Sequence, residues 1–355
     1  QKNRIKDFCR TGVSQNHSIA FNGGNDKGSF RASVGKDISN GIYEGHNIEK
    51  LNFDLKADYD INKWLNIDTK LSYFLTEGKE RPGMGYYSVT SYFNDMPVNI
   101  RNVDLAPGYN IIGGRHVEKL YTTSNANYRN PYFLLAQESN KDARYRTFGY
   151  LAANVKLSSD LNFKVKYGLD FYREEIESKT LYADNVSQNR PEYSTTESFF
   201  KEENMEFLLS YNKKISDFDV SANFGGNKMN RSSQNLSAAS GLLPDEGYYF
   251  LGYGTNVSAT EQFSEEEVQS LYGFAQLGYK SMVYMDITAR NDWSSTLPMA
   301  NNSYFYPSVS LSGIISEMIE MPSWLTYAKV RGSWAQVGKA AGPYSTSQVY
   351  SVNKF

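Results

Sequence analysis

Residues 161–171 read Leu-Asn-Phe-Lys-Val-Lys-Tyr-Gly-Leu-Asp-Phe, a strict alternation of apolar and other side chains. Because successive side chains of a β-strand point to opposite faces, this stretch presents one apolar face and one polar face. Residues 51–59 repeat the pattern. Both stretches are nearly twice as long as the usual strand of about 5–6 residues. About 9–11 tilted residues cross the hydrocarbon core of a bilayer. The pattern therefore predicts a transmembrane β-barrel wall, with apolar side chains toward lipid and polar ones toward a wet lumen.

The composition agrees with this interpretation and excludes several others. The chain has 355 residues, and no run of about 18 apolar residues predicts a transmembrane helix. Its 28 tyrosines and 20 phenylalanines are typical of aromatic girdles at both membrane interfaces. The net charge of -2 argues against nucleic acid as the main partner. The single cysteine, Cys9, excludes an internal disulfide framework.

The same alternation identifies about twelve long strands along the chain. They cover about 14–22, 28–37, 49–59, 65–75, 146–157, 161–172, 203–214, 217–225, 269–279, 282–291, 305–315 and 324–334. Short connections at 60–63, 158–160, 215–216 and 280–281 alternate with long ones at about 76–145, 173–202, 226–268 and 335–348. Outer-membrane barrels show this asymmetry, with short periplasmic turns and long extracellular loops. The predicted fold class is all-β, as part of a large antiparallel transmembrane β-barrel.

The last predicted strand, 324–334, tests the assignment of faces. Trp324 and Trp334 share its apolar face and are predicted to lie in the lipid-facing girdle, one at each interface. Lys329 and Arg331 point the other way, and placing either at the lipid midplane would cost about 2–4 kcal/mol. A secreted, soluble β-sandwich also has alternating strands and stands as the alternative architecture.

Several segments resemble one known family in a fixed order along the whole chain. They are Asp-Phe-Cys-Arg-Thr-Gly at 7–12, Gln-Asn-His-Ser-Ile-Ala-Phe-Asn-Gly-Gly at 15–24, Gly-Ser-Phe-Arg-Ala-Ser at 28–33, Asn-Pro-Tyr-Phe at 130–133, Tyr-Gly-Leu-Asp-Phe-Tyr at 167–172, Phe-Tyr-Pro-Ser-Val-Ser at 305–310 and Lys-Val-Arg-Gly-Ser-Trp-Ala-Gln-Val-Gly at 329–338. The chain resembles the SusC/RagA-type TonB-dependent outer-membrane transporters of Bacteroidetes. It departs from their pattern at Cys9, Ala335 and Lys339.

The resemblance implies a barrel of about 22 strands, of which residues 1–355 would supply about half. The plug domain and the terminal strands are expected to lie outside this chain. The resemblance also implies active import of an oligosaccharide or a peptide, with a SusD-like surface lipoprotein as the lid. The TonB-ExbB-ExbD complex would supply energy through the plug, and two transporter–lid units would form a dimer. A siderophore or cobalamin receptor of the wider TonB-dependent group is the alternative function.

Aromatic residues of the long loops are the candidate contacts for substrate or lid, because aromatic rings stack on sugars and anchor protein interfaces. They are Tyr86, Tyr87, Tyr92, Phe93, Tyr248 and Tyr249. The same rings would alternatively pack the loops together. Trp293, beside Asn291 and Asp292, resembles a sugar-binding cluster and equally fits the girdle.

Catalysis is not expected from this sequence. His17, His46 and His116 are scattered, with no spacing typical of metal ligands. The acidic runs at 174–175 and 265–267 lack the spacing of a calcium loop. Gly23-Gly24 and Gly225-Gly226 do not form a phosphate-binding loop, which needs a following helix and a lysine. We therefore expect neither an enzyme nor a protein with a bound cofactor or metal.

Overall fold

A computed structural model describes residues 3–81, 83, 85, 88–121, 129–180, 191–245 and 247–346. Twelve strands form one antiparallel sheet, and two more form a small hairpin. In chain order the strands of the sheet are β1 (Val13–Asn25), β2 (Gly28–Asn40), β3 (Asn47–Asp60), β4 (Leu65–Lys79), β7 (Glu138–Lys156), β8 (Leu161–Thr180), β9 (Glu192–Ile215), β10 (Phe218–Leu242), β11 (Ser258–Tyr279), β12 (Val283–Ser294), β13 (Ser303–Ile314) and β14 (Lys329–Ala335). The hairpin is formed by β5 (Tyr109–Ile112) and β6 (Arg115–Glu118).

Each strand of the sheet pairs with its neighbours in the chain, apart from the hairpin inserted between β4 and β7. All twelve predicted strands are present, and the short turns lie at one end of the sheet. In the turn between β11 and β12, Lys280 and Ser281 both have positive φ angles of 48° and 59°. Two left-handed residues make the tight hairpin turn whose twist matches that of the strands. The predicted all-β class is confirmed. One continuous sheet replaces the two packed layers of the alternative β-sandwich.

Four strands are much longer than the sequence predicts. β8 to β11 contain 20, 24, 25 and 22 residues, so most of the expected loops at 173–202 and 226–268 is strand. The added residues carry polar side chains on both faces, as in Asn230-Arg231-Ser232-Ser233-Gln234-Asn235. They lack the apolar alternation that identified the other strands. Backbone pairing continues the sheet here, from Arg231↔Glu202 to Ala239↔Ser194, together with polar side-chain contacts such as Asn235–Ser198.

The last strand is shorter than expected. β14 begins at Lys329 instead of residue 324, and residues 324–328 belong to the connection after β13. A turn precedes them, in which the N–H of Leu325 donates to the carbonyl of Pro322 at 2.9 Å. Trp324 and Trp334 therefore do not mark the two ends of one strand.

The two faces of the sheet differ as the alternation predicts. One row across β4 and β7–β11 contains Ile67, Ala153, Val165, Phe207, Gly226 and Leu271. The adjacent row on the opposite face contains Asp68, Ala152, Lys166, Glu206, Asn227 and Ser270. We call these the outward face and the inward face.

Large apolar side chains of the outward face are exposed to the surroundings. Val165 is 48% exposed, Phe224 52% and Leu311 55%. Water-soluble domains bury such a surface, because contact with water is unfavourable. Lipid is the environment in which this face is stable.

The apolar band of the outward face has a sharp upper edge. From the short-turn end, the first charged outward residues are Lys36, Glu49, Glu77, Arg173 and Lys228, whereas β9 has Lys213 beside its turn and then no charged outward residue until Glu203. On β8 the band runs from Leu161 to Phe171. At about 3.3 Å per residue and a tilt of about 45°, it rises about 23 Å, close to the height of a membrane-embedded band. β8–β11 continue beyond this edge on the side opposite the short turns.

The buried core lies in the long connection between β4 and β7, at the same end as these extensions. It contains the helices α2 (Val89–Asp95), α3 (Asn102–Leu105) and α4 (Pro131–Gln137), which pack with α1 (Arg4–Phe8). A further short helix, α5 (Ile315–Met318), follows β13. Among the described residues, no helix is long and apolar enough to cross a membrane. We define the loop core as Tyr43, Val89, Tyr92, Phe93, Met96, Leu105 and Leu134.

Polar contacts fix the loop core to the start of the sheet. The guanidinium of Arg4 donates to the carbonyls of Phe93 (2.6 Å), Met96 (2.9 Å) and Pro97 (2.7 Å). Arg10 donates to the carbonyls of Gly41 and His46 in the turn between β2 and β3. Charged donors that each satisfy several carbonyls keep this connection ordered.

Candidate functional site on the inward face

The inward face combines aromatic rings with cations, although alternation alone would leave it simply polar. Phe148 of β7 lies between Lys70 and Arg146, whose charged groups are 5.4 Å and 5.1 Å from the centre of its ring. Arg146 also donates to both carboxylate oxygens of Asp170, at 2.9 Å and 2.6 Å. Cation–π contact and the paired hydrogen bonds hold these side chains in defined positions.

A second aromatic group lies higher on the same face. The rings of Tyr172 and Phe200 stack with their centres 5.1 Å apart. The guanidinium of Arg144 lies 4.0 Å from the centre of the Tyr172 ring. The Nε of Arg144 has no hydrogen-bond partner within the described part of the chain.

Neutral hydrogen-bonding groups cover the inward face above the aromatic rings. The amide of Asn235 donates to the hydroxyl of Ser198 at 2.8 Å, and the hydroxyls of Ser233 and Ser264 lie 2.8 Å apart. A cleft of about 780 Å³ adjoins these residues and Tyr172. Hydroxyls and amides both donate and accept, so this surface suits an uncharged polar ligand with many hydrogen-bonding groups.

Ionised side chains also line the extensions beyond the apolar band. The hydrogen bond from Lys179 to Glu177, 3.0 Å long, lowers the pKa of Glu177 below its ordinary value. Burial, and then the charge of Glu177, raises the pKa of Tyr193. Glu177 therefore stays charged and Tyr193 stays neutral near neutral pH.

The predicted loop contacts divide into separate groups. Tyr86 and Tyr87 lie outside the described residues. Tyr92 and Phe93 are buried in the loop core at 5% and 1% exposure, so their rings pack the loop, as the stated alternative has it. Tyr248 is 63% exposed and pairs with Tyr253 at 5.7 Å. Tyr249 is half-buried, with Lys179 5.8 Å from its ring centre.

The three predicted tryptophans occupy different positions. Trp293 points outward at the upper edge of the apolar band, whereas its neighbour Asp292 points inward and accepts a hydrogen bond from Arg290 at 2.7 Å. The side chains of Trp293 and Asp292 therefore lie on opposite faces, whereas Asn291 shares the outward face with Trp293. Both the sugar-binding and the girdle interpretation of Trp293 stay predictions. Trp334 is outward and lies across from Val309. Trp324 is 79% exposed in the connection before β14.

Sequence reasoning missed the aromatic residues of the inward face. Phe148, Tyr172 and Phe200 occupy positions where the alternation calls for polar side chains. That departure from the pattern was the available signal for Phe148 and Tyr172, whereas Phe200 lies in the segment 173–202 that was expected to be a loop. Within the described ranges, no group of three or more His, Cys, Asp or Glu side chains has the geometry of a metal site.

Comparison with known proteins shows which sequences and structures this chain resembles. No protein-family model matches the chain. The chain is 24% identical to the TonB-dependent receptor P39 of Formosa agariphila, over 97% of this chain and 32% of that protein. It superposes on the RagAB peptide importer in the open-open state with a TM-score of 0.81 and 22% identity, covering 99% of this chain and 39% of that one. The siderophore receptor PiuA from Acinetobacter baumannii gives a TM-score of 0.51 and 8% identity, covering 92% and 45%.

The sheet therefore has the fold of part of the RagAB importer, and the chain is similar in sequence to a TonB-dependent receptor. The predicted resemblance to the SusC/RagA type is confirmed. The matched proteins are named as a receptor and a peptide importer, in agreement with the predicted outer-membrane location and with the expectation that the chain is not an enzyme. This chain spans about a third of the length of the curated relative.

Proposed function

We propose that residues 1–355 form one portion of the barrel of an active importer for a large nutrient, an oligosaccharide or a peptide. A SusD-like surface lipoprotein would cover its extracellular end. The TonB-ExbB-ExbD complex would act on a plug domain outside these residues, and two transporter–lid units would pair. The observation that carries the proposal is the TM-score of 0.81 over 99% of the chain to a peptide importer.

The inward face supports a large substrate. β8–β11 extend well beyond the apolar band and carry stacked rings, hydroxyls and amides on that face. Such a surface offers many weak, similar contacts along its height. A long polymer can use them together, whereas a compact chelate reaches few of them at once.

A siderophore or cobalamin receptor is the second candidate, because PiuA shares the fold at a TM-score of 0.51. That likeness is weaker than the likeness to RagAB over nearly the same residues. The two candidates differ in their partner, since only the first requires a lid lipoprotein.

The experiment is to purify the complete protein from outer membranes in mild detergent and to identify bound proteins by mass spectrometry. We expect a SusD-like lipoprotein at a one-to-one ratio, and a mass for two transporter–lid units. A barrel recovered intact without any lipoprotein would overturn the first candidate and favour the chelate receptor.

A further inference from the structure

The segment after β14 passes over the inward face of the sheet. The backbone N–H of Gln336 still donates to a carbonyl of β13, at 3.0 Å. A Cβ added at Gly338 would lie 3.3 Å from the ring of Tyr306, which points inward because it lies across from the inward residue Arg290. Farther along this segment, Tyr344 borders the cleft of about 780 Å³ at the extensions of β9–β11.

A tight turn holds Tyr344 at this cleft. The backbone N–H of Ser345 donates to the carbonyl of Gly342 at 3.2 Å, so Pro343 and Tyr344 are the central residues of a β-turn. Tyr344 has a φ of 60°. The arrangement matches a type II turn, in which proline is common at the second position and glycine or asparagine is usual at the third.

A tyrosine is sterically unfavourable at the third position of such a turn. Tyr344 is 56% exposed, so burial of its ring does not account for this residue. Residues held in unfavourable backbone conformations cluster at sites of binding and catalysis. The turn and the cleft together indicate that the ring of Tyr344 is a contact for a ligand.

The wall of the cleft on β9–β11 is uncharged. In the described ranges 194–198, 233–237 and 258–264, every inward side chain is serine, threonine, asparagine or glutamine. Glu261 also borders the cleft, but its side chain is outward, where its carboxylate accepts a hydrogen bond from the Gln234 amide at 2.7 Å. The wall therefore offers hydroxyl and amide groups to a ligand.

The charged side chains next to this wall carry a negative excess. In the row below it, Arg231 lies 2.8 Å from the carboxylate of Glu202 and 3.1 Å from that of Glu266. Beside it, Glu174 lies across from Arg144. These five groups are two cations and three carboxylates.

We propose that Tyr344 stacks on an uncharged sugar ring in this cleft, and that the cleft selects neutral oligosaccharides over charged oligosaccharides and peptides. The inference rests on the proposed import function and names its substrate class. The apolar C–H face of a sugar packs on an aromatic ring, and sugar hydroxyls donate and accept hydrogen bonds as the side chains of the wall do. The cleft has the volume of a small-molecule site, about 300–1,000 Å³.

Charged ligands lack suitable partners at this wall. An ionised group loses hydration when it enters a site and needs an opposite charge in return. The guanidinium of Arg231 already contacts two carboxylates, and the negative excess repels uronates and sulfate esters. Peptides carry ionised termini and meet the same desolvation cost.

The first test offers a mixture of ligands to the complete protein, purified from outer membranes with its bound partners. The mixture contains neutral oligosaccharides, oligogalacturonates of the same lengths and a tryptic peptide pool, and mass spectrometry identifies what is retained after gel filtration. We expect neutral oligosaccharides to be retained roughly tenfold more than either other class. Preferential retention of peptides or uronates, or no retention of neutral oligosaccharides, would overturn the proposal. Retained peptides together with a bound lipoprotein would leave the import function standing and refute only the substrate class.

Variants of Tyr344 test the stacking contact. Tyr344→Gly removes the ring and keeps the turn, because glycine is favoured at this position, and should weaken retention of neutral oligosaccharides roughly fivefold. Tyr344→Phe keeps the ring and should stay near wild type. Tyr327, equally exposed at 56% in the connection before β14, provides the control variant Tyr327→Ala, which should not change retention. Equal retention by Tyr344→Gly and Tyr327→Ala would contradict the role of Tyr344.

Discussion

The carboxylate of Glu118 accepts a hydrogen bond from the backbone N–H of Asn130 at 2.6 Å, and both residues are buried. Arg129 donates to the same carboxylate at 3.0 Å. The side chain of Asn130 in turn donates to the carbonyls of Leu105 and Lys119. The Asn-Pro-Tyr-Phe segment at 130–133 is thereby joined to β6 and α3. Its role in this structure is to hold the extracellular connection together.

Replacing Glu118 by alanine should loosen this connection. The change leaves Arg129 without its buried carboxylate, and breaking a buried ion pair in this way costs about 3–5 kcal/mol. We expect faster proteolysis of residues 80–137 on intact cells, with the barrel still assembled. Asp104→Asn, in the exposed pair with Arg101, is the control and should not change the rate. Identical proteolysis of Glu118→Ala and wild type would refute the role assigned to Glu118.

Adjacent residues of β8 test the two faces. Val165→Lys places a charge in the apolar band, at an expected cost of about 2–4 kcal/mol near the midplane. Lys164→Val changes the inward face, where water and polar groups are present. Folding yield in lipid bilayers should fall for Val165→Lys and stay near wild type for Lys164→Val. Equal yields would show that the faces are assigned incorrectly.

Variants of Phe93 and Tyr248 test which aromatic rings of the loops pack the loop core and which contact the lid or the substrate. Phe93→Ala should destabilise the loop core by about 3–5 kcal/mol, because its ring is fully buried. Tyr248→Ala should leave loop stability unchanged and weaken binding of the lid or the substrate, since its ring is exposed. Proteolysis and co-purification of the lipoprotein measure the two effects. If Tyr248→Ala also destabilised the loop, the ring of Tyr248 would have a packing role like that of Phe93.

The neighbours Phe199 and Phe200 provide a matched pair for transport. Phe200 stacks on Tyr172 at the inward face, whereas Phe199 is outward and 41% exposed. Phe200→Ala should reduce nutrient uptake by whole cells roughly fivefold, because aromatic contacts of this kind are worth about 1 kcal/mol. Phe199→Ala should transport normally. Comparable uptake by both variants would show that the stacked rings of Tyr172 and Phe200 do not contribute to import.

His46 offers a test by pH. Burial, followed by the positive charges of Arg81 and Arg10, lowers the pKa of His46 below its ordinary value of 6.5. The unfolded chain therefore binds the proton more readily, so the stability due to His46 is complete above pH 6.5 and is lost as the pH falls through the lowered pKa. Arg81→Gln should raise this pKa while leaving it below 6.5, because burial remains. NMR titration measures it, with His46→Asn identifying the signal, and an unchanged pKa would contradict the role of Arg81.

The membrane-spanning part of the fold was predictable because lipid imposes a rule on every second residue. Val165 and Lys164 could be assigned to faces from their neighbours alone, and the short turns followed from the breaks in alternation. The extensions of β8–β11 were not predictable in this way. Around Arg231 both faces are polar, so neither lipid nor a core leaves a periodic signal in the sequence.

The candidate site was predicted less completely. Tyr92 and Tyr248 look alike in the sequence, because a long connection has no period that distinguishes a buried ring from an exposed one. Their difference comes from the tertiary contacts of α1 and α2. Phe148 and Tyr172, in contrast, occupy polar-face positions of predicted strands, so the sequence already showed them as exceptions to the alternation. Phe200 lay in a segment expected to be a loop and could not be identified in this way.

The extensions of β8–β11 also affect how many amino-acid substitutions this protein can accept. They rise about 15–35 Å beyond the apolar band, and their backbones stay paired although no apolar alternation is present. Substitutions there do not disturb insertion into the membrane. Residues such as Ser198 and Asn235 can therefore change while the lipid-embedded strands below stay under unchanged constraint.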